Sequence, residues 1–297
     1  MKFALRDDDL NYFFSPSMIE EYYKFIWDIC PISMSVVPFI KGDWLKLVDE
    51  AERMGPGVQN SENLKKLLSD NEIFPIHKNL ELVDFIKKEM SFNRIYITIH
   101  AIHHRNEDNV MPQCKTNFGI GAEFYTNRDL TLDLKKAISY LEQSFNQKIE
   151  VFTPPQNMIN SMGIMAVLNN DLAICADLPS VRSLETLKFF GIKQYCNYLL
   201  FKVKNRKNIY PFVIQNNRLS IVAHQRLQPG TDLKRIKEEI DYAHTNNGIF
   251  VLSTHCYAFN YKMKNGDQNM GEALIDIIKY AKKKPGIDFI NLKQIFV

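Results

Sequence analysis

The chain has 297 residues, 45% of them hydrophobic, with 37 basic and 34 acidic side chains and a formal net charge of +3. That length is at the upper end of what one core supports, so one domain over 1–297 is expected, and the near balance of charge argues against nucleic acid or an anionic membrane as the main partner. Five cysteines (Cys30, Cys114, Cys175, Cys196 and Cys256), odd in number and without CxxC spacing, argue against a disulfide framework or a zinc ribbon and suit reduced thiols in a cytosol.

The first strand-like run covers 3–6 and continues as Ala4-Leu5-Arg6-Asp7-Asp8-Asp9, an apolar run ending in three carboxylates. Between Lys2 and Arg6 lie only Phe3, Ala4 and Leu5, too few for the apolar core of a signal peptide, so a cytoplasmic location is expected. No stretch approaches the roughly 18 apolar residues of a membrane span, and no membrane insertion is expected. Further strand-like runs fall at 33–37, 95–99, 149–152, 171–175, 219–223, 249–253 and 287–290. Between 41 and 91 the pattern is helical and broken by Gly55-Pro56-Gly57, with Ile73–His77 the one candidate strand. Residues 105–128, with Gly119 and Gly121, read as a long loop that roofs a site.

Asp129–Asn146 carries Leu130, Leu134, Ala137, Ile138, Leu141 and Phe145 at helical spacing. Asp232–Asn246 is a second such helix, with Asp232 as N-cap and Gly248 beyond its end, and Gly271–Lys284 a third, ending in three lysines and stopped by Pro285-Gly286. Residues 197–218 read as an inserted hairpin. Strands alternating with helices predict a parallel sheet in an α/β fold.

Three apolar runs end in groups able to bind metal or transfer protons: the aspartates, Ile95–His100 with His104 four residues on, and Ile249–His255. Carboxyl ends of parallel strands are where such side chains meet. If the chain turns helical after residue 99, His100 and His104 share one face and hold one ion while His103 points elsewhere. An anionic third ligand from the aspartates would leave an open position for water or substrate, and a carboxylate base with His255 as acid would complete a hydrolytic centre. Each piece alone has a plainer reading, as a chance HxxxH among seven histidines, a structural histidine or a solvated acidic turn. Their shared position at strand ends weighs towards a site.

These pieces resemble the polysaccharide deacetylase family of carbohydrate esterases, in particular a divergent branch associated with surface-polysaccharide and O-antigen synthesis. The matching segments are the acids within Asp7-Asp8-Asp9, the pair His100 and His104, Phe152-Thr153-Pro154-Pro155 at the family's Pro-containing substrate loop, Leu252-Ser253-Thr254-His255, and the closing segment Ala281–Val297. The resemblance spans the chain and implies a distorted (β/α)7-type barrel. It implies Asp8 as general base and His255 as general acid, with Asp9, His100 and His104 as ligands of a divalent ion such as zinc. Asp7 and Asp8 are the second choice for the base and ligand pair.

Pro155, Asn157 and Tyr257 are the expected substrate contacts, with Asn157 also a candidate oxyanion donor or a plain helix N-cap. Phe259, Phe124 and Tyr125 are further candidates to face a sugar. Asp177 is a candidate to orient the acid histidine, and His224 is expected in the core or at the surface. The implied reaction removes an acetyl group from an amino sugar or sugar ester of a cell-surface glycan precursor, a small carbohydrate substrate. The chain departs from the common pattern in having no glycine after its acids and no evident arginine near Pro154-Pro155. Those departures favour the alternative of a degenerate barrel that binds carbohydrate without hydrolysing it. Phosphoester hydrolysis ranks last, with Arg6 and Arg105 the only nearby cations.

Overall fold

A computed structural model of the chain describes residues 1–54, 62–105, 121–264 and 266–297, which leaves Gly55-Pro56-Gly57, Cys114 and Gly119 outside. In chain order the first elements are β1 (Lys2–Leu10), α1 (Pro16–Tyr23), β2 (Ile32–Val36), β3 (Phe39–Lys41), α2 (Trp44–Met54), α3 (Glu62–Ser69), β4 (Ile73–Pro75), α4 (Leu80–Ser91) and β5 (Ile95–Ile99). There follow α5 (Thr131–Phe145), β6 (Val151–Phe152), α6 (Ser161–Leu168), β7 (Ala173–Cys175), α7 (Leu184–Lys204), β8 (Ile214–Gln215), β9 (Ser220–Val222) and β10 (Gln225–Arg226). The chain closes with α8 (Leu233–Thr245), β11 (Ile249–Thr254), α9 (Met270–Lys282) and β12 (Asp288–Ile290).

The main sheet runs β10-β11-β1-β2-β5-β6-β7-β9-β8, with β12 also on β1. Every pair in it is parallel except β8 with β9. Strands of such a sheet are covered on both faces, which is why they read in the sequence as continuous apolar runs. β1 is central: Phe3, Ala4 and Leu5 are fully buried, and its register places Leu5 beside Leu252 of β11 and Ile32 of β2. Among the described residues the ladders leave the sheet open, with β8, paired to β9, at one edge and β10, paired to β11, at the other.

The helices pack as their apolar stripes require. In α9, Ala273, Leu274, Ile277, Ile278 and Ala281 are all buried, and Asn269 with Glu272 forms a reciprocal cap at its start. Gly271 is a close approach, because a Cβ there would lie 2.3 Å from the Tyr22 ring. Asp232 caps α8 as expected, but the left-handed residue beyond that helix is Asn247 rather than Gly248.

Two segments depart from expectation. Ile73–His77 supplies β4, which pairs antiparallel with β3 in a separate small sheet. Residues 197–204 belong to α7, which bends at Gly191 (φ 74°, ψ 164°), so the expected hairpin over 197–218 is reduced to β8, which pairs with β9 just beyond that region.

Candidate active site

β1 delivers its acids by breaking its own alternation. Side chains two apart on a strand share a face, so Arg6 and Asp8 point together and Asp7 points the other way. The ladder with β2 is regular to Asp7, shifts, and resumes at Leu10. Asp9 adopts a left-handed conformation (φ 69°) in that shift, at a cost of about 1–2 kcal/mol for a side chain with a Cβ. Asn11 Nδ2 donates to the Asp9 carbonyl at 2.7 Å and steadies the bend. Asp9 thereby joins Asp8 at the mouth, while Asp7 stays behind and accepts a hydrogen bond from the buried Tyr23 hydroxyl.

The two imidazoles reach Asp9 along a turn, not a helix, which corrects the expectation for residues 100–104. Ala101 (φ 67°) and His104 (φ 66°) are both left-handed. The buried Glu123 carboxylate pays for this turn by accepting the backbone N–H groups of Ile102, His103 and His104 on Oε2 at 2.9, 2.9 and 3.0 Å. His103 faces away, with Nδ1 2.7 Å from the Phe39 carbonyl. His100 Nδ1 lies 2.9 Å from both the carbonyl and the hydroxyl oxygen of Thr153. A carbonyl only accepts, so Nδ1 carries a hydrogen and Nε2 is turned to the mouth.

At the mouth, His100 Nε2 and His104 Nε2 each lie 3.0 Å from Asp9 Oδ1. The three ligand atoms are within 4.8 Å of one another and all three residues are buried. Asp9 Oδ2 is committed elsewhere, accepting from Tyr257 Oη at 3.2 Å and Trp44 Nε1 at 3.3 Å. His104 packs against Trp44 with ring centroids 4.3 Å apart, yet among the described residues neither of its ring nitrogens has a hydrogen-bond partner; its approach to Asp9 is close but out of line. A buried imidazole without partners costs free energy unless something else ligates it. Ligand bonds of about 2.0–2.2 Å easily span these separations, so the donor set fits a divalent ion.

Electrostatics agree with that fit. Burial disfavours charge on Asp9, but His104 and His100 outweigh it and hold the carboxyl well below its usual range. Burial likewise opposes charge on Asp8 and is outweighed by Arg6, then His100 and His255, so Asp8 is also lowered. For His100, the aspartates overcome burial and lift the ring above its ordinary value. Metal ligation would displace that proton. Asp7 goes the other way: burial and the neighbouring Asp8 and Asp9 charges push it well above the usual range, against the Tyr23 hydrogen bond.

Arg6 is completely buried and clamps Asp8, with Nη2 2.7 Å from Oδ2, while its other contacts run to Asn157 Oδ1 (3.0 Å) and the Cys175 carbonyl (2.8 Å). Asp8 Oδ1 is buried without a partner among the described residues. His255, at the end of β11, places Nε2 3.8 Å from Asp9 Oδ2 with its side chain 35% exposed. Burial lowers its pKa, with Asp9 and Asp8 opposing.

The remaining candidates divide. Pro155 is buried and opens the short turn Pro155–Asn157, where Asn157 serves Arg6 rather than capping a helix; that turn also buries the Gln156 amide, without partners among the described residues. Tyr257 is at the site, but its hydroxyl holds Asp9. Asp177 pairs with Arg226 and lies 3.4 Å from His224, so it does not orient His255 in the way considered for it. His224 is buried, with Nδ1 2.7 Å from Ser253 Oγ. Phe259 packs on Tyr22 and Tyr23, and Phe124 on Phe152, both fully in the core and unable to face a sugar. Arg105 donates to the backbone carbonyls of Leu68 and Asp70. Sequence reasoning missed Trp44 and Glu123, and it included Thr153 only within the Phe152–Pro155 segment, without its role as the partner of His100.

No family model and no curated protein matches the sequence. Among solved structures, the chain is similar to a candidate polysaccharide deacetylase from Mycobacterium smegmatis, with a TM-score of 0.50 and 8% identity over 98% of this chain and 88% of that one. It is equally similar to a 4-alpha-glucanotransferase from Thermococcus litoralis, with a TM-score of 0.50 and 8% identity over 100% of this chain but 40% of that one. A family 4 acetyl xylan esterase from Clostridium thermocellum, solved with cobalt, aligns at a TM-score of 0.44 and 12% identity over 100% and 90%. At such identities the likeness is one of fold. A hydrolase and a transferase share it, so activity must be argued from the site.

Proposed function

We propose that this protein is a divalent-metal-dependent hydrolase that removes an acetyl group from an amino sugar or sugar ester, built on a distorted (β/α)7-type barrel. The observation that carries the reading is the buried set Asp9, His100 and His104 beside an Asp8 whose Oδ1 has no partner among the described residues. A divalent ion held there, zinc by the character of the donors, would polarise the acyl carbonyl and acidify water.

The chain's own groups account for the rest. Asp8 Oδ1 takes the proton of the attacking water, while Arg6 keeps the carboxyl ionised and aimed. His255, partly exposed and across from the aspartates, gives a proton to the leaving nitrogen or oxygen as its bond to the acyl carbon breaks, and recovers one from solvent. Acetate and the free amine or alcohol are the products. The described cysteines Cys30, Cys175, Cys196 and Cys256 are all unpaired, which suits work on a glycan precursor in a reducing compartment.

The test is acetate release from N-acetylated sugar oligomers and from O-acetylated esters, before and after chelation and with zinc restored. Zinc-dependent release that Asp8→Asn abolishes, with the metal still bound, supports the reading. No release from either substrate class with zinc restored refutes it.

A further inference from the structure

The second half of α7, from Ile192 to Lys204, turns an apolar face to solvent. Ile192, Leu200 and Val203 are 76%, 58% and 63% exposed, and Cys196 and Leu199 complete the stripe at i, i+4, i+7, i+8 and i+11, a single helical face. The inward face is carried by Tyr198, which is buried against Phe190 and Tyr210. Scattered apolar side chains need no explanation, but a contiguous helical stripe of them does.

Charge around the stripe identifies what covers it. Residues 184–207 hold six basic side chains (Lys188, Lys193, Lys202, Lys204, Arg206 and Lys207) against Glu185, in a chain with 37 basic and 34 acidic residues overall. Glu185 is engaged by the Ser161 hydroxyl. On the helical wheel Lys193 and Lys204 flank one side of the stripe and Lys202 the other, and Lys188, Lys193, Lys204, Arg206 and Lys207 are exposed. Two copies of this chain meeting through the same face would oppose cation to cation. Aliphatic side chains bordered by lysines match a surface that is apolar beneath and negative above.

We propose that α7 is an interfacial helix that docks the protein reversibly on an anionic lipid surface, with Ile192, Leu199, Leu200 and Val203 entering the headgroup region and the flanking lysines meeting lipid phosphates. This is adsorption and not insertion, since no helix among the described residues is long and apolar enough to cross a membrane. It goes beyond the hydrolase reading and does not depend on it.

The test is sedimentation of the full chain with vesicles of phosphatidylcholine alone or with about 30% phosphatidylglycerol. Partition into the anionic vesicles is expected, weakened as salt rises from about 0.05 to about 0.5 M, and reduced about tenfold or more by Ile192→Glu with Leu200→Glu. Both side chains are exposed, so the double variant should melt with the parent protein. Lack of partition, equal partition of the variant, or a micromolar dimer that the variant dissolves would each overturn the proposal.

Discussion

Arg6 and Asp8 stand two residues apart on one strand and share one face of it, so their 2.7 Å ion pair is a direct product of strand geometry. Both partners are buried. The guanidinium therefore compensates the desolvation of the carboxylate and also fixes which of its oxygens remains free. Removing one partner of a buried pair leaves an uncompensated charge. Arg6→Met is expected to lower unfolding free energy by about 3–5 kcal/mol in denaturant titrations. A loss below about 1 kcal/mol would show that Asp8 is not held in this way.

Asp7 predicts a pH dependence of the opposite sign from its neighbours. A carboxyl whose native pKa is raised binds its proton more tightly when folded, so it adds stability that is fully present below its unfolded pKa and is lost as pH rises through the native value. Asp8 and Asp9 are lowered and add stability that is lost as pH falls below the ordinary carboxylate range. Asp7→Asn keeps a partner for Tyr23 while removing the titration. The variant should gain stability relative to the parent as pH rises from about 4 to 7. Parallel stability curves for the two proteins over that window would contradict a raised pKa at Asp7.

Glu123 holds the 102–104 turn from outside the ligand set. Glu123→Gln keeps the shape but replaces a carboxylate that gathers three N–H groups with an amide that has one acceptor oxygen. Zinc affinity, read by competition with a chromophoric chelator, is expected to fall about 10- to 100-fold, as for other partners that orient ligands. Unchanged affinity would mean that the turn holds itself.

The sequence made the sheet legible because buried parallel strands are apolar on both faces, and all eight strand-like runs coincide with strands of the main sheet. The three amphipathic helices at 129–146, 232–246 and 271–284 were legible through their stripes. α7 was not, because its apolar residues lie on both the buried and the exposed faces, and periodicity vanishes when both sides are apolar. At the site, residue types at strand ends pointed to Asp9, His100 and His104, but what brings them together is three left-handed residues, Asp9, Ala101 and His104. None is a glycine, so composition gave no sign of them. Glu123 was hidden for another reason: its role is to accept backbone N–H groups, which leave no pattern in the side chains they belong to.

The central claim is that Asp9, His100 and His104 close on one cation. Crystals soaked with zinc and measured at its absorption edge test it directly. A single anomalous peak per chain, about 2.0–2.2 Å from Asp9 Oδ1, His100 Nε2 and His104 Nε2, is the expected result. A peak bound elsewhere, or none at these three atoms with the site accessible in the crystal, would contradict the account.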